Sequence, residues 1–344
     1  MKKSLVALAV LAASGASFAQ VTVSGALGFS FQKNATTPGT AATKGMQMTD
    51  GKINFEAKED LGGGMSLTAA QSFNLKGRDT GLSARDASLT LATKAATLQL
   101  GAIERCTRID NVAGAPVSLA TGHDAGTAGA PLDYSTFTLD GSCHNVDTAA
   151  VSLPLGAVTL GASYNEVSGV APGAAAGTAN STGGNVGGVN YYLLSADYAA
   201  GALAIGIDYR TVKADNAANT AFSPAAFNDG LATTSLSASY DFGFAKIGAG
   251  IKTANHNAPT QTTFSVAAPL SSAATVGLIY SNRASVSTDA AYFNTAVNSV
   301  SATAIGIDYK LSKLTVLNAS YGMYSGLNNS PIDNEYRIRL LKSF

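Results

Sequence analysis

Nine cations and five carboxylates occupy alternate positions in segments whose intervening residues are bulky and apolar. The cations are Lys52, Lys58, Arg85, Arg210, Lys246, Lys252, Lys310, Arg337 and Arg339; the carboxylates are Glu56, Asp86, Asp208, Asp241 and Asp308. Such spacing suits no covalent chemistry, but it builds a charged face whose work is electrostatic. A net basic face beside a narrow wet space concentrates anions and repels cations, because low-dielectric walls focus the field. At a rim the same charges would pair with loop acids or headgroups and contribute little, so both readings stay open for any single residue. Arg85 and Asp86 are adjacent, so regular alternation cannot place both on one face.

Catalytic patterns are missing. His123, His144 and His256 stand apart, with neither the H-E-x-x-H spacing nor a nucleophile elbow around them. Gly183–Gly188 is a glycine cluster that opens no helix, and flexibility accounts for it. Glu56 and Asp208 would form a carboxylate pair only if strand register brought them together. These residues point to no enzyme and call for no cofactor. The two cysteines, Cys106 and Cys143, bracket the longest connecting segment. In an exported chain an even count favours a disulfide at the loop base, worth ~4 kcal/mol in the chain-entropy model. Cys143 and His144 as half of a metal site is the alternative.

The elements that must position these charges are strands. In the last ten residues Tyr336, Ile338, Leu340 and the terminal Phe344 share one side of a period-two pattern, with Glu335, Arg337, Arg339 and Ser343 on the other. The same alternation recurs at Val21–Phe31, Ile53–Ala57, Met65–Phe73, Leu203–Tyr209, Ala245–Ile251 and Ile305–Tyr309. Short turns at 60–64, 93–96, 154–156, 199–202, 241–244, 269–272 and 310–313 alternate with longer segments near 34–46, 77–84, 104–142, 166–188, 212–230, 254–260, 284–297 and 325–334. This asymmetry predicts an all-β fold, a transmembrane antiparallel β-barrel of about sixteen strands with both termini on the turn side. The segment near 166–188 also fits an interdomain linker.

Composition agrees. The chain is 46% hydrophobic and 13% charged, with 13 Tyr, 13 Phe and no Trp, so Tyr and Phe must supply any aromatic girdle. Lys2 and Lys3, the apolar run Leu5–Leu11 and Ser17-Phe18-Ala19 read as a signal peptide over 1–19, too short for a spanning helix, which leaves 20–344 as the barrel. Charge is balanced at 22 against 22, or 20 against 22 without Lys2 and Lys3, which argues against a nucleic-acid partner.

Several pieces resemble a family. Lys58-Glu-Asp-Leu-Gly-Gly-Gly64, Arg85-Asp-Ala-Ser-Leu-Thr-Leu91, Leu98-Gln-Leu-Gly101 and the terminal Phe344 make the chain similar to Gram-negative general porins of the β-proteobacterial kind, over essentially its whole mature length. The resemblance implies a homotrimer of sixteen-stranded barrels among outer-membrane lipids, a third loop folded into the lumen, and an insertion machinery that reads Phe344. Lys52 stands where the family usually has arginine, which keeps the charge and loses the bidentate fork. His144 falls on or beside another family arginine, and Arg85 is retained. The third loop would be 104–142, carrying Arg105, Arg108, Asp110, His123, Asp124 and Asp133; the alternative is an extracellular flap. Folded inward, its aspartates would face the basic wall across a transverse field.

The expected function is a diffusion channel for small hydrophilic solutes and ions with weak to moderate anion preference. Lys52, Glu56, Arg85, Arg105, Arg108, Asp110, Asp124, His144, Arg337 and Arg339 are its candidate constriction residues. A channel specific for small organic anions and a surface adhesin are the alternatives.

Overall fold

The computed structural model describes residues 20–33, 44–75, 83–106, 108–109, 111–119, 143–167, 189–214, 230, 232–255, 260–284, 300–325 and 334–344. Segment 1–19, Asp110, His123, Asp124, Asp133, His256 and the glycines of 183–188 lie outside the described residues, and Cys106, Cys143 and His144 are described by their backbone register alone.

Sixteen strands follow one another: β1 Gln20–Lys33, β2 Lys44–Gly62, β3 Met65–Asn74, β4 Ser83–Ala92, β5 Thr97–Cys106, β6 Cys143–Leu155, β7 Val158–Val167, β8 Val189–Ala200, β9 Leu203–Ala214, β10 Ala232–Asp241, β11 Lys246–Ala254, β12 Gln261–Pro269, β13 Ala274–Arg283, β14 Val300–Ser312, β15 Thr315–Ser325 and β16 Glu335–Ser343. Each pairs antiparallel with its sequence neighbour, and β1 pairs with β16 to close the ring. The seam register sets Phe29 opposite Leu340 and Gln32 opposite Arg337. Ring closure removes every exposed sheet edge, which the hydrocarbon of a bilayer demands.

The alternation is inverted relative to a water-soluble sheet. On β12, Gln261, Thr263 and Ser265 are buried, while Phe264 between them is 42% exposed. On β1, Ser30 and Gln32 are buried and Phe29 and Phe31 are each 51% exposed. Apolar residues turned outward at this density need a lipid solvent rather than water. Aromatic groups gather at the strand ends, as Tyr240, Phe242 and Phe244 beside one turn and Phe31 against Tyr336 near the opposite end.

The expected turns all fall between consecutive strands. The β2–β3 turn strings Gly62, Gly63 and Gly64 at φ 79°, 63° and 82°, a left-handed run that side chains with a Cβ resist. Asp60 caps it, its Oδ1 accepting the Gly62 N–H at 2.8 Å. Across β3 and β4 the register shifts beside Ser72, so the strict alternation expected of Arg85 and Asp86 breaks. Sixteen strands enclose more space than side chains fill. Among the described residues, buried apolar side chains gather in two clusters, Val146 with Tyr191 and Val212, and Ala115, Val117 and Leu119 with Ile279 and Ala304.

Candidate functional site

The second of those clusters holds a segment that belongs to no strand. After β5, residues 108–109 and 111–119 run along the polar, inner face of the wall, passing in turn over β8 and β9, then β11 to β16. Arg108 starts the path. Its Nε donates to Asp208 Oδ2 at 2.9 Å, and its other nitrogens engage the Asp197 carboxylate. Burial lowers the pKa of Arg108, but the hydrogen bonds and charges of Asp197 and Asp208 outweigh it, and the net direction is upward. The arginine is therefore a permanent cation locked between two carboxylates.

A tight turn follows. Asn111 adopts φ 37°, a conformation asparagine tolerates better than most residues. Its side chain clamps Ala115, with Oδ1 accepting the Ala115 N–H at 2.7 Å and Nδ2 donating to the Ala115 carbonyl at 2.8 Å. The strap is then stitched to the wall. The Ala113 N–H donates to Ser265 Oγ at 2.8 Å, and Asn318 Nδ2 donates to the Pro116 carbonyl at 2.9 Å. The Ser118 N–H donates to Ser320 Oγ at 2.9 Å, and Arg337 Nη1 donates to Ser118 Oγ at 3.1 Å. Ile109, Ala113, Ala115, Val117 and Leu119 are buried against the wall. Fully burying a side chain the size of Ile109 or Leu119 stabilises by roughly 1.5–3 kcal/mol before ordering costs. Hence the strap is held by apolar contact, hydrogen bonds and one double ion pair together.

The described constriction candidates separate into strap anchors, Arg339 at the β16–β2 side, and a group on the β2–β5 wall. Arg108 and Arg337 belong to the strap's anchorage. Arg337 is buried, its Nε donating to Gln32 Oε1 at 2.9 Å. Arg339 reaches the Asp50 carboxylate at 3.3 Å. Lys52, Glu56, Arg85 and Arg105 sit instead on the β2–β5 wall. Lys52 Nζ lies 3.6 Å from Asp86 Oδ2, and Glu56 is exposed between Thr22 and Ala70. The shifted register lets Arg85 touch both Glu104 and Asp86, the latter at 3.7 Å from its Nε. Arg105 donates from Nη2 to Thr148 Oγ1 at 3.1 Å, while its buried Nε makes no hydrogen bond among the described residues. His144 lies opposite Arg105 in register.

Beside the start of the strap, a cavity of about 650 Å³ opens along the inner wall between Arg105, Arg108, Ser195, Asp197, Ser237 and Lys246. Its charged lining is three cations, Arg105, Arg108 and Lys246, against two carboxylates, Asp197 and Asp208. Both carboxylates are engaged by Arg108, so the charge left facing the cavity is positive. Four residues escaped sequence reasoning: Asp197, Asn111, Ser118 and Ile279. Inward apolar or glycine positions at Gly248, Gly250, Gly277, Ile279 and Gly306, where a wet wall needs polar side chains, were the signal that something covers that wall.

A closed antiparallel ring, apolar outside, charged and hydroxyl-lined inside, with a strap along its inner wall, defines a transmembrane β-barrel pore. The family model of the Gram-negative porins matches residues 4–329, and the chain belongs to that family. Among solved structures, the anion-selective porin of Comamonas acidovorans is similar at 15% identity and a TM-score of 0.68, covering 95% of this chain and 100% of that one. A variant of the Rhodopseudomonas blastica porin is similar at 14% identity and a TM-score of 0.62, covering 94% and 100%. No curated protein sequence matches the chain. The family consists of channels, and its place is the outer membrane of Gram-negative cells.

Proposed function

We propose that the chain is a general diffusion porin with a weak to moderate preference for anions, and that the strap narrows its lumen. The observation that carries the preference is the charge balance of the cavity beside the strap, where Arg108 already engages both carboxylates, and Arg105 and Lys246 are the other two cations of the lining. A cation facing a narrow, water-filled passage between low-dielectric walls raises the local anion concentration. Lys52, on the same β2–β5 wall as Arg105, adds to this in part, since Asp86 lies 3.6 Å from its Nζ. Asp110 and Asp124 would complete a transverse field from the same loop as the strap. The likeness to an anion-selective porin agrees with this sign.

The test is the reversal potential of the purified protein in a planar bilayer under a salt gradient. An anion-directed sign supports the reading, and a cation-directed sign refutes it. Lys52→Glu and Arg105→Glu should each move the potential toward cations; no movement for either removes that residue from the conducting path.

A channel specific for small organic anions is the second reading. It is favoured by the Arg105 cation and the Ser195 and Ser237 hydroxyls lining one cavity, and it predicts saturable conductance blocked by the preferred acid. In either case we read a homotrimer, exported with loss of residues 1–19, inserted by machinery that recognises Phe344, and without enzymatic activity. Cys106 and Cys143 stand directly opposite one another in the β5–β6 register. That separation of backbones lies within the span of a disulfide, which would tie the base of the loop.

A further inference from the structure

We propose that Gly206, Gly248, Gly250, Gly277, Gly306 and Gly322 form a track recessed into the inner wall, and that its depth sets how far the strap stands into the lumen. They are positioning residues for the pore's cross-section, and the inference rests on the reading that the strap narrows the lumen.

Each glycine meets a successive part of the strap. A Cβ on Gly206 would collide with the Arg108 guanidinium. On Gly250 it would lie 2.7 Å from Ile109 Cβ, and on Gly248 2.7 Å from the Ala113 nitrogen. On Gly277 it would lie 2.6 Å from Ala115 Cβ, from Pro116 Cδ and from the Val266 carbonyl oxygen of the neighbouring strand, whereas the three nearest atoms at Gly306 all belong to the strap. On Gly306 it would meet the Pro116 carbonyl and sit 3.0 Å from Val117 Cα, and on Gly322 it would lie 2.6 Å from Leu119 Cδ1. Gly277 and Gly306 are register partners, so the track crosses from strand to strand. Carbon atoms rest about 3.5–4.0 Å apart, so one methyl on this floor must lift the strap by roughly 1 Å or push it off its seat. Other inward positions of the same strands carry full side chains, such as Lys252, Ser281 and Asp308. Between the glycines the strap rests on Ser265, Ile279, Asn318 and Ser320, so the recession is local to the six glycine positions and is not a general thinness of the wall. Strand bending is the rival explanation for glycine in a barrel, and it makes no reference to strap atoms.

The experiment is single-channel conductance of refolded full-length variants, with heat-modified gel mobility as the check on folding. Gly277→Ala and Gly306→Ala should each lower conductance by roughly a tenth or more, the steric consequence of a raised strap. If both fold and conduct like the parent, the proposal is overturned. Should either fail to fold, Gly322→Ala keeps the test open, because the nearest atom there is the flexible end of Leu119. Gly322→Ala should lower conductance, and adding Leu119→Ala should restore it; absence of rescue overturns the proposal. Gly161→Ala is the control, since its three nearest atoms belong to Ser195 and Val151; a drop equal to that of Gly277→Ala would favour strand bending and overturn the track. Deletion of residues 109–118 separates the two levels. Unchanged conductance after the deletion sinks the constriction reading itself. Raised conductance after the deletion, with silent glycine variants, sinks the track alone.

Discussion

The ring of Phe344 lies over Gly25. A Cβ on Gly25 would sit 2.6 Å from Phe344 Cζ and 2.5 Å from the Lys52 carbonyl oxygen. The two residues also exchange backbone hydrogen bonds, Gly25 N–H to the Phe344 carbonyl at 2.9 Å and Phe344 N–H to the Gly25 carbonyl at 3.0 Å. The end of the chain is thus fastened to the seam that closes the barrel. Gly25→Val should destabilise the refolded barrel by about 1–3 kcal/mol through overpacking, read as a lower urea midpoint. Phe344→Ala keeps the backbone pair and should cost less. An unchanged midpoint for Gly25→Val would dismiss the ring's seat as a closure device.

Arg108 is the strap's first anchor. Arg108→Gln leaves Asp197 and Asp208 without their cation and should cost roughly 1.5–3 kcal/mol, in line with hydrogen bonds to charged groups. Because Asp197 is half exposed, water recovers part of that loss. Conductance noise should rise as the strap's first end comes loose. Arg108→Lys should fall between, since a point charge cannot grip two carboxylates as a fork does. Quiet traces from Arg108→Gln would mean that the apolar contacts hold the strap unaided.

The pH dependence of that anchor has a definite sign. A cation whose pKa is raised on folding contributes its stability in full below its unfolded value and loses it only as pH climbs through the higher folded one. For Arg108, raised by Asp197 and Asp208 against burial, this window lies in strong alkali. Conductance noise should therefore stay flat from roughly pH 6 to pH 10. A rise in noise within that interval would locate the weak point of the strap elsewhere than Arg108.

Cys106 and Cys143 give a prediction free of conductance. Thiol alkylation followed by mass measurement should add two labels only after reduction. Two labels without reductant would show the pair to be open despite their facing register.

The chain's order of residues was enough to determine the barrel. A period of two with apolar groups to one side, such as Ile305, Ile307 and Tyr309 against Gly306 and Asp308, is a local property that each strand carries by itself. Short turns carry theirs too, as Gly62–Gly64 does. What only the tertiary structure decided is which inward charges face water. Arg337 and Lys52 look alike in sequence, both basic and both on an inward face. Arg337 is covered by Ser118, and Lys52 keeps a half-open position beside Asp86. The difference comes from a segment more than two hundred residues away from Arg337, laid across one side of the wall and not the other. Contacts of that range leave no periodic trace in the strands, apart from glycines where the wall had to give way. Arg85 and Asp86 tell the same story on a smaller scale, because a one-residue slip against Ser72 is fixed by pairing and not by either residue's own preference.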